Sequence, residues 1–280
     1  MPRLAALDGL RGLAAALVFL FHVQLPGVHP VLGGLDAGVL VFFALSGYLL
    51  YAPFVASFHG GASVALRTYA VRRLLRIVPA YLVAAFAIAA LWHPDLLMDP
   101  WGIALTTRSP ILTVWTLQLE VAFYVLLPVV AAVLAKLTTS VGRVRVLLGV
   151  AAASVASTAA VMVAIAEMNG FIPGESLLSF ASFAWAFVPG MVVAELELRG
   201  VLSRPLPAAV ALVGILCIAF SAVANPPPFF DVTASLGAAA LIAWVLSRPV
   251  VGRRFERALA ACGALSYSVY LWHVSIIDAV

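Results

Sequence analysis

Residues 7–22 read LDGLRGLAAALVFLFH, a run of apolar residues that carries three ionisable side chains. Asp8 and Arg11 lie near one end of the run, and His22 closes the other end. A run of about 20 mainly apolar residues is long enough to cross the hydrocarbon core of a bilayer as a helix. The stretch therefore predicts a membrane-spanning helix whose polar groups need a specific explanation, because charge inside a bilayer is costly.

The composition of the whole chain extends this prediction. The 280 residues are 64% hydrophobic and only 10% charged, whereas about 25% of the residues of a soluble domain are charged. The chain is therefore predicted to be a polytopic membrane protein, and the lack of a basic soluble segment argues against nucleic-acid binding. Cys217 and Cys262 lie in or beside apolar runs, so neither a disulfide framework nor a metal site is expected.

Apolar runs of spanning length recur along the chain. We predict an all-α, polytopic transmembrane helical bundle of about nine spans. The runs cover approximately residues 7–25, 36–57, 74–92, 111–135, 145–166, 177–197, 207–224, 230–247 and 258–279. The segment RRLLRIVPAYL places Pro79 near the start of the third run, where the first turns of a helix tolerate proline.

The basic residues predict the orientation of these spans. Every even-numbered connection carries Lys or Arg, whereas Arg108 is the single basic residue assigned to the other side. Basic loops stay in the cytoplasm, so the N-terminus is predicted to be cytoplasmic. We expect residues 1–280 to form a single transmembrane domain. Because the chain stops at SIIDAV without a polar cap, we also expect a C-terminal truncation that removes a tenth helix.

The first span places its charged groups on one face. Arg11 and His22 are eleven residues apart, which is close to three helical turns and about 16 Å along the axis. Asp8 is three residues before Arg11 and can pair with it. One interpretation is an anion site at Arg11 with a general base at His22. The alternative is that Arg11 reaches the inner headgroups and His22 is an interfacial residue.

Two more ionisable residues fall at a similar predicted depth. Glu120, in WTLQLEVAFYVLLP, lies in the outer half of the fourth span, where an unpaired charge costs at least a few kcal/mol. It should pair with a His or Arg, or be protonated. His273, in SYSVYLWH, lies toward the outer side of the ninth span, although a position beside Trp272 is also typical of an interfacial residue. The shared depth of His22, Glu120 and His273 favours a common site.

Two other segments have both a functional and a structural interpretation. Arg72, Arg73 and Arg76 lie within about one helical turn and could bind phosphate or simply anchor the inner end. The basic segments GRVR and VGRRFER are interpreted as ordinary anchors. Ser46, in FFALSGYLL, is expected to bond a backbone carbonyl rather than to act in catalysis, and Gly47 suits close helix packing.

Five segments together resemble the acyltransferase family 3 membrane proteins, of the O-acetyltransferase type that modifies bacterial surface polysaccharides and other acceptors. They are LDGLRGLAAALVFLFH, GVLVFFALSGYLL, RRLLRIVPAYL, WTLQLEVAFYVLLP and LSYSVYLWH, in this order over nearly the whole chain. The resemblance implies a multi-pass protein of the inner or plasma membrane. It also implies acetyl-CoA or another acyl-CoA as co-substrate, with no tightly bound cofactor, and a hydroxyl of a carbohydrate or glycolipid as acceptor.

The resemblance also implies roles for individual residues. Arg11 and His22 look like the essential motif of the first helix, and Glu120 occupies the glutamate of the pattern W-S-L-x-x-E, with Thr116 for the usual serine. The donor-binding group of the family corresponds to Arg72, Arg73 and Arg76. Two features depart from the pattern: HVSII lacks the proline that usually follows the region of His273, and the tenth helix is missing.

These assignments predict an acyl transfer from cytoplasmic acyl-CoA, with His22 as general base or as a covalent acyl relay and Glu120 orienting it. Asp8, Ser46 and His273 are possible supporting residues. An alternative is a transporter or flippase of a lipid-linked sugar or small solute, which could use the same Arg, Glu and His as a relay. The internal repeats with broken helices typical of such proteins are not evident in the sequence. A third interpretation is a membrane partner with an inactive site.

Overall fold

The computed structural model describes residues 2–23, 34–106, 109–137, 139–167, 175–224, 231–248 and 253–279, and its side chains except at 2–4, 159–182 and 253–256. Within these ranges the chain forms ten α-helices and no strand. They are α1 (Pro2–Val23), α2 (Gly38–Phe58), α3 (Leu66–Trp92), α4 (Pro100–Ala104), α5 (Val114–Leu134), α6 (Ser140–Glu167), α7 (Glu175–Leu198), α8 (Ala208–Ala224), α9 (Val232–Leu246) and α10 (Arg253–Asp278).

The helices match the predicted spans. Each of the nine apolar runs coincides with one helix, and the short α4 lies in a connection. Six helices in the described part of the chain are long and apolar enough to cross a membrane, while α8 and α9 are shorter apolar helices. The all-α, polytopic membrane architecture is therefore confirmed. Which side of the bundle faces the cytoplasm stays a prediction, as does the extent of the single domain over 1–280.

The start of the third span was predicted wrongly. Helix α3 begins at Leu66, so Pro79 lies in its interior rather than in its first turns. Proline inside a membrane helix is tolerated because neighbouring groups can satisfy the freed backbone carbonyl. The error arose because the arginines were assigned to a connection. They lie instead on helical turns that precede the apolar part of α3.

Helices α1 and α10 pack closely along glycines. A Cβ atom at Gly9 would lie 2.6 Å from Cδ2 of Leu259, and one at Gly12 would lie 2.6 Å from Cβ of Cys262. Small residues let helix backbones approach in this way. The contacts advance in the same direction along both helices, so α1 and α10 are parallel. This agrees with the predicted topology, in which the first and ninth spans cross the membrane in the same direction.

Helix α2 is the central helix of the bundle and packs against α7 through a second glycine pair. A Cβ atom at Gly47 would overlap the carbonyl oxygen of Phe187, and one at Gly190 would overlap that of Ala44. The predicted role of Gly47 in close packing is confirmed. This contact holds the backbones of α2 and α7 close together, and α2 carries several residues of the site described below.

The segment GRVR is not the ordinary anchor that the sequence predicted. The side chain of Arg143 is 2% exposed and donates from Nε to Oε1 of Glu195 at 2.7 Å. Tyr51 and Ser140 donate to the same carboxylate at 2.8 and 2.7 Å. A second guanidinium nitrogen of Arg143 lies 2.8 Å from Nε2 of His59. This buried network ties α2, α6 and α7 together, and sequence reasoning missed Glu195 altogether.

Candidate active site

The glycine contacts of α1 and α10 bring two histidines together. Nδ1 of His22 lies 3.2 Å from Nε2 of His273, and the two rings meet edge to face with centroids 4.7 Å apart. His273 is buried, with 3% of its surface exposed, while His22 is half-buried. The predicted proximity of these residues is therefore a feature of the structure.

The neighbouring carbonyl groups determine which ring nitrogens carry protons. Nδ1 of His22 lies 2.8 Å from the carbonyl oxygen of Val18, and Nδ1 of His273 lies 2.8 Å from that of Tyr270. Because a carbonyl oxygen only accepts hydrogen bonds, each Nδ1 carries the proton when the ring is neutral. His22 then donates to Nε2 of His273 as well. The Nε2 atom of His22 keeps a lone pair that no hydrogen bond within the described residues uses.

A small cavity, here called the central cavity, lies between α1, α2, α3, α5 and α10. Its volume is about 60 Å³, which holds a few water molecules or a group of similar size. Three charged residues, Arg11, Arg76 and Glu120, line it, and its hydroxyl groups include those of Ser46, Thr116 and Tyr270. Several helices that are distant in sequence thus combine to place polar groups inside an apolar bundle.

The carboxylate of Glu120 is held by two hydroxyl groups. Ser46 donates to Oε1 of Glu120 at 3.0 Å, and Tyr124 donates to the same oxygen at 2.5 Å. Ser46 thus bonds a carboxylate rather than the backbone carbonyl that the sequence predicted. Its hydrogen bond joins α2 to α5, so these contacts fix the carboxylate at the wall of the central cavity.

The two arginines of the central cavity come from α1 and α3. A guanidinium nitrogen of Arg11 lies 3.6 Å from Oδ1 of Asp8, so the predicted pair forms. Only 14% of the Arg11 side chain is exposed, so it does not extend freely toward headgroups. Arg76 makes no hydrogen bond or ion pair with another residue in the described ranges. Two guanidinium groups thus face one carboxylate, which leaves the cavity suited to an anionic or strongly polarised group.

The other two arginines of α3 have different surroundings. Arg72 is exposed. The guanidinium of Arg73 lies between two rings, 5.9 Å from the centroid of Tyr69 and 5.8 Å from that of Tyr124. The Nε atom of Arg73 is buried without a hydrogen-bond partner. In the predicted cluster, Arg72 and Arg76 are thus both exposed, Arg76 also lines the central cavity, and Arg73 lies against aromatic rings.

The structure brings some of the predicted residues together and separates others. Glu120 bonds Ser46 and Tyr124 and makes no hydrogen bond to His22, and neither histidine lines the central cavity. Tyr270 connects the two groups. Its hydroxyl lies 2.5 Å from that of Thr116 in the cavity wall, and its ring centroid lies 5.6 Å from that of His273.

Sequence reasoning missed the tyrosines of this site. Tyr124 lies one helical turn after Glu120, and Tyr270 lies one turn before His273. This spacing places each tyrosine on the same helix face as the ionisable residue, and it is the signal that could have identified them. Among the residues that the structure describes, no group of three or more His, Cys, Asp or Glu side chains is arranged to hold a metal.

Comparison with known proteins identifies relatives over almost the full chain. Peptidoglycan O-acetyltransferase OatA of Listeria monocytogenes is 26% identical over 97% of this chain and 49% of its own length. YrhL of Bacillus subtilis, whose peptidoglycan O-acetyltransferase name is a provisional one, is 24% identical over 97% of this chain and 48% of its own length. The chain thus spans about half the length of these two relatives.

A third relative is covered more completely. BcsY of Komagataeibacter xylinus, provisionally named a membrane-bound transacylase, is 30% identical over 95% of this chain and 71% of its own length. No solved structure matches the chain significantly. The family model described as "Acyltransferase domain" matches residues 4–280. The chain therefore belongs to acyltransferase family 3.

Proposed function

We propose that the protein is a membrane O-acyltransferase that moves an acetyl group from acetyl-CoA at the cytoplasmic side to a hydroxyl of a carbohydrate acceptor. The observation that carries this proposal is the arrangement of His22. Its Nδ1 atom faces the carbonyl of Val18 and Nε2 of His273, so the lone pair on its own Nε2 is available to take a proton.

The arginines of α3 support an acyl-CoA donor. Arg72 is exposed at the predicted cytoplasmic end, and Arg76 lines the central cavity. Guanidinium groups bind phosphate through paired hydrogen bonds. Arg72 and Arg73 would hold the phosphates of CoA, and Arg76 and Arg11 would lie farther along the path of its pantetheine arm. The thioester would then reach the wall formed by Thr116 and Tyr270.

The size of the central cavity favours a short acyl chain. A volume of about 60 Å³ accommodates a group equivalent to a few water molecules. An acetyl group meets this limit, while the pantetheine arm would need space outside the cavity. The fit of an acetyl group supports acetyl-CoA as the co-substrate.

The transfer would proceed by proton transfer and acyl substitution. Nε2 of His22 would remove the proton of the acceptor hydroxyl as its oxygen attacks the thioester carbonyl carbon. The new C–O bond forms, the C–S bond breaks, and the imidazolium returns the proton to the departing thiolate. The positive groups of the central cavity would stabilise negative charge on the carbonyl oxygen. Glu120 would act as their counter-charge, because its hydrogen bonds run to Ser46 and Tyr124 rather than to His22.

A covalent variant uses the same atoms. Nε2 of His22 could attack the thioester first and carry the acetyl group to the acceptor. Rapid quenching of the enzyme with acetyl-CoA, followed by peptide mass analysis, separates the two routes. An acetylated His22 peptide that forms and decays within one turnover indicates the relay, and its absence indicates the general-base route.

The relatives support a carbohydrate acceptor in the cell envelope. OatA of Listeria is named a peptidoglycan O-acetyltransferase, and peptidoglycan is built from sugars that offer hydroxyl groups. The six span-capable helices in the described part of the chain agree with a location in the plasma membrane, where cytoplasmic acetyl-CoA and an external glycan are both within reach.

The test is the release of free thiol from acetyl-CoA by the purified protein in nanodiscs, with water or an added saccharide as the acceptor. The His22→Ala variant should lose release while CoA binding persists. The matched control is Leu20→Ala on the same helix, because Leu20 is 48% exposed on the bundle surface and should leave release unchanged. Full activity of His22→Ala would refute the proposed mechanism.

The purified protein, reconstituted in liposomes, also tests the transporter alternative, which the charges of Arg11 and Glu120 suit as well. A transporter would move a labelled solute or lipid-linked sugar across a liposome bilayer without cleaving acetyl-CoA. Transport together with absence of both CoA binding and thiol release would favour that alternative.

A further inference from the structure

A second, wider cavity, here called the rim cavity, opens at the end of the bundle where α3 and α10 end. Its volume is about 470 Å³, within the range of about 300–1,000 Å³ that is usual for small-molecule sites. Trp92 and His93 line it from the end of α3, Ser275 and Asp278 from the end of α10, and Ser109 from the segment before α5. According to the predicted topology, this end lies on the outer side of the membrane.

Two elements, α10 and the segment before α5, contribute residues to both the rim cavity and the central cavity. Along α10, Tyr270 and Leu271 face the central cavity, while Val274 and Ser275 face the rim cavity. Four residues of a helix rise only about 6 Å, so the two cavities follow each other closely. His273 lies between these positions. The histidine pair is therefore next to the boundary between the two spaces.

The segment before α5 runs between the two cavities, and its successive residues line first one cavity and then the other. Ile111 and Thr113 line the central cavity, whereas Pro110 and Leu112 line the rim cavity. This partition is a single segment of backbone, so groups bound on either side of it can approach closely. Neither histidine lines either cavity, so a donor in the central cavity and an acceptor in the rim cavity would each have to extend past this segment to reach the histidine pair.

The chemistry of the rim cavity fits a sugar. The indole of Trp92 offers an apolar face to the C–H groups of a pyranose ring and a polar edge to its hydroxyl groups. The carboxylate of Asp278 accepts hydrogen bonds, and the hydroxyl of Ser275 and the imidazole of His93 both donate and accept them. Asp278, His93 and Trp92 are all exposed to the exterior, so an external ligand can reach them.

We propose that the rim cavity is the acceptor subsite, and that Trp92 and Asp278 bind a saccharide unit of the acceptor so that one hydroxyl points to His22. This inference rests on the proposed acyl transfer and adds the place where the carbohydrate binds. In the acyl-transfer step, the bound hydroxyl loses its proton to Nε2 of His22 and forms the ester bond.

The test measures acetyl transfer from radiolabelled acetyl-CoA to a soluble disaccharide of N-acetylglucosamine and N-acetylmuramic acid, with the full chain in nanodiscs. Trp92→Ala and Asp278→Asn should each raise KM for the disaccharide by about tenfold or more, because the first removes the aromatic face and the second replaces a charged acceptor by a weaker neutral one. Neither change should alter KM for acetyl-CoA or the thiol release that occurs when water replaces the saccharide as acceptor. Trp92→Phe, which keeps an aromatic face, should retain most of the affinity.

Two variants outside the cavity serve as matched controls. Trp101 is 76% exposed and Asp95 is exposed, and neither lines the rim cavity. Trp101→Ala and Asp95→Asn should therefore leave all parameters unchanged. Control variants that raise KM for the disaccharide as strongly as the cavity variants would overturn the assignment.

The remaining outcomes separate this inference from the proposed function. An unchanged KM for the disaccharide in Trp92→Ala and Asp278→Asn would overturn the acceptor subsite alone. The same holds for a wild type that releases thiol from acetyl-CoA yet transfers nothing to the disaccharide. A wild type without thiol release, with or without the disaccharide, would overturn the acyl transfer itself, and the subsite assignment with it.

Discussion

Nδ1 of His22 lies 3.2 Å from Nε2 of His273, although 251 residues separate them in the chain. The contact depends on the parallel packing of α1 against α10. It converts two histidines on different helices into an ordered pair, in which the donor and acceptor roles follow from the backbone carbonyls that each ring faces.

The first prediction concerns the unequal roles of the two histidines. His22→Ala should lower kcat by about 10²–10⁴-fold, the usual contribution of a general base. His273→Ala should cause a smaller loss, because Nδ1–H of His22 still donates to the carbonyl of Val18 at 2.8 Å. Steady-state thiol release is the measurement. Equal losses in the two variants would contradict this expectation, in which His22 takes the proton and His273 only positions His22.

A conservative variant distinguishes positioning from general structural support. His273→Gln supplies an amide oxygen that can accept from Nδ1–H of His22, so part of kcat should return relative to His273→Ala. Values of KM for acetyl-CoA should stay close to wild type in both. Recovery of thermal stability without recovery of kcat would indicate that His273 only fills space.

The second prediction concerns Glu120. Glu120→Gln keeps an oxygen that can accept from Ser46 and Tyr124 but removes the negative charge that faces Arg11 and Arg76. We expect the turnover of acetyl-CoA to fall strongly, because the cavity then lacks its own negative charge and Arg76 has no counter-charge there. Tyr124→Phe removes one hydrogen bond and should be milder. Wild-type turnover in Glu120→Gln would show that the charge has no part in the reaction.

The third prediction concerns the donor. The double variant Arg72→Ala/Arg73→Ala should weaken acetyl-CoA binding at least about tenfold, since a hydrogen bond to a charged group contributes about 1.5–3 kcal/mol. Binding of the wild type should also weaken with added salt. Arg145→Ala is the control, because Arg145 is an exposed arginine at the same predicted end of the bundle. An unchanged affinity in the double variant would leave membrane anchoring as the role of the cluster.

The fourth prediction concerns the packing of α1 on α10. Gly12→Leu places a side chain where a Cβ atom already lies 2.6 Å from Cβ of Cys262. We expect a loss of about 1–3 kcal/mol of stability from overpacking, together with a loss of kcat as the histidines separate. Gly149→Leu is the control, since a Cβ atom at Gly149 meets nothing within 4 Å. Thermal unfolding and thiol release measured on both variants check the prediction.

The fifth prediction concerns the buried pair of Arg143 and Glu195. Arg143→Met leaves a fully buried carboxylate without its cation and should destabilise the fold by about 3–5 kcal/mol. Arg145→Met, at an exposed position on the same helix, should change stability little. Unfolding followed by tryptophan fluorescence in detergent is the measurement. Equal stability of the two variants would restore the interpretation of GRVR as an anchor.

Local patterns were sufficient for much of the architecture. The nine apolar runs predicted the helices because hydropathy acts on each segment separately, and the glycine at position 47 correctly indicated close packing. The start of α3 was wrong because a helix can continue beyond the apolar part of its sequence. The arginines that lie before that part belong to the same helix, and hydropathy does not detect them.

The sequence by itself determined that this chain is a helical membrane protein of acyltransferase family 3, since its composition and its motifs are properties of short segments. Only the tertiary structure decided which polar groups meet. It joined His22 to His273, Glu120 to Ser46 and Tyr124, and Arg143 to Glu195. Each of these contacts links helices that are distant in sequence, so it depends on how glycines and side-chain volumes let the helices pack.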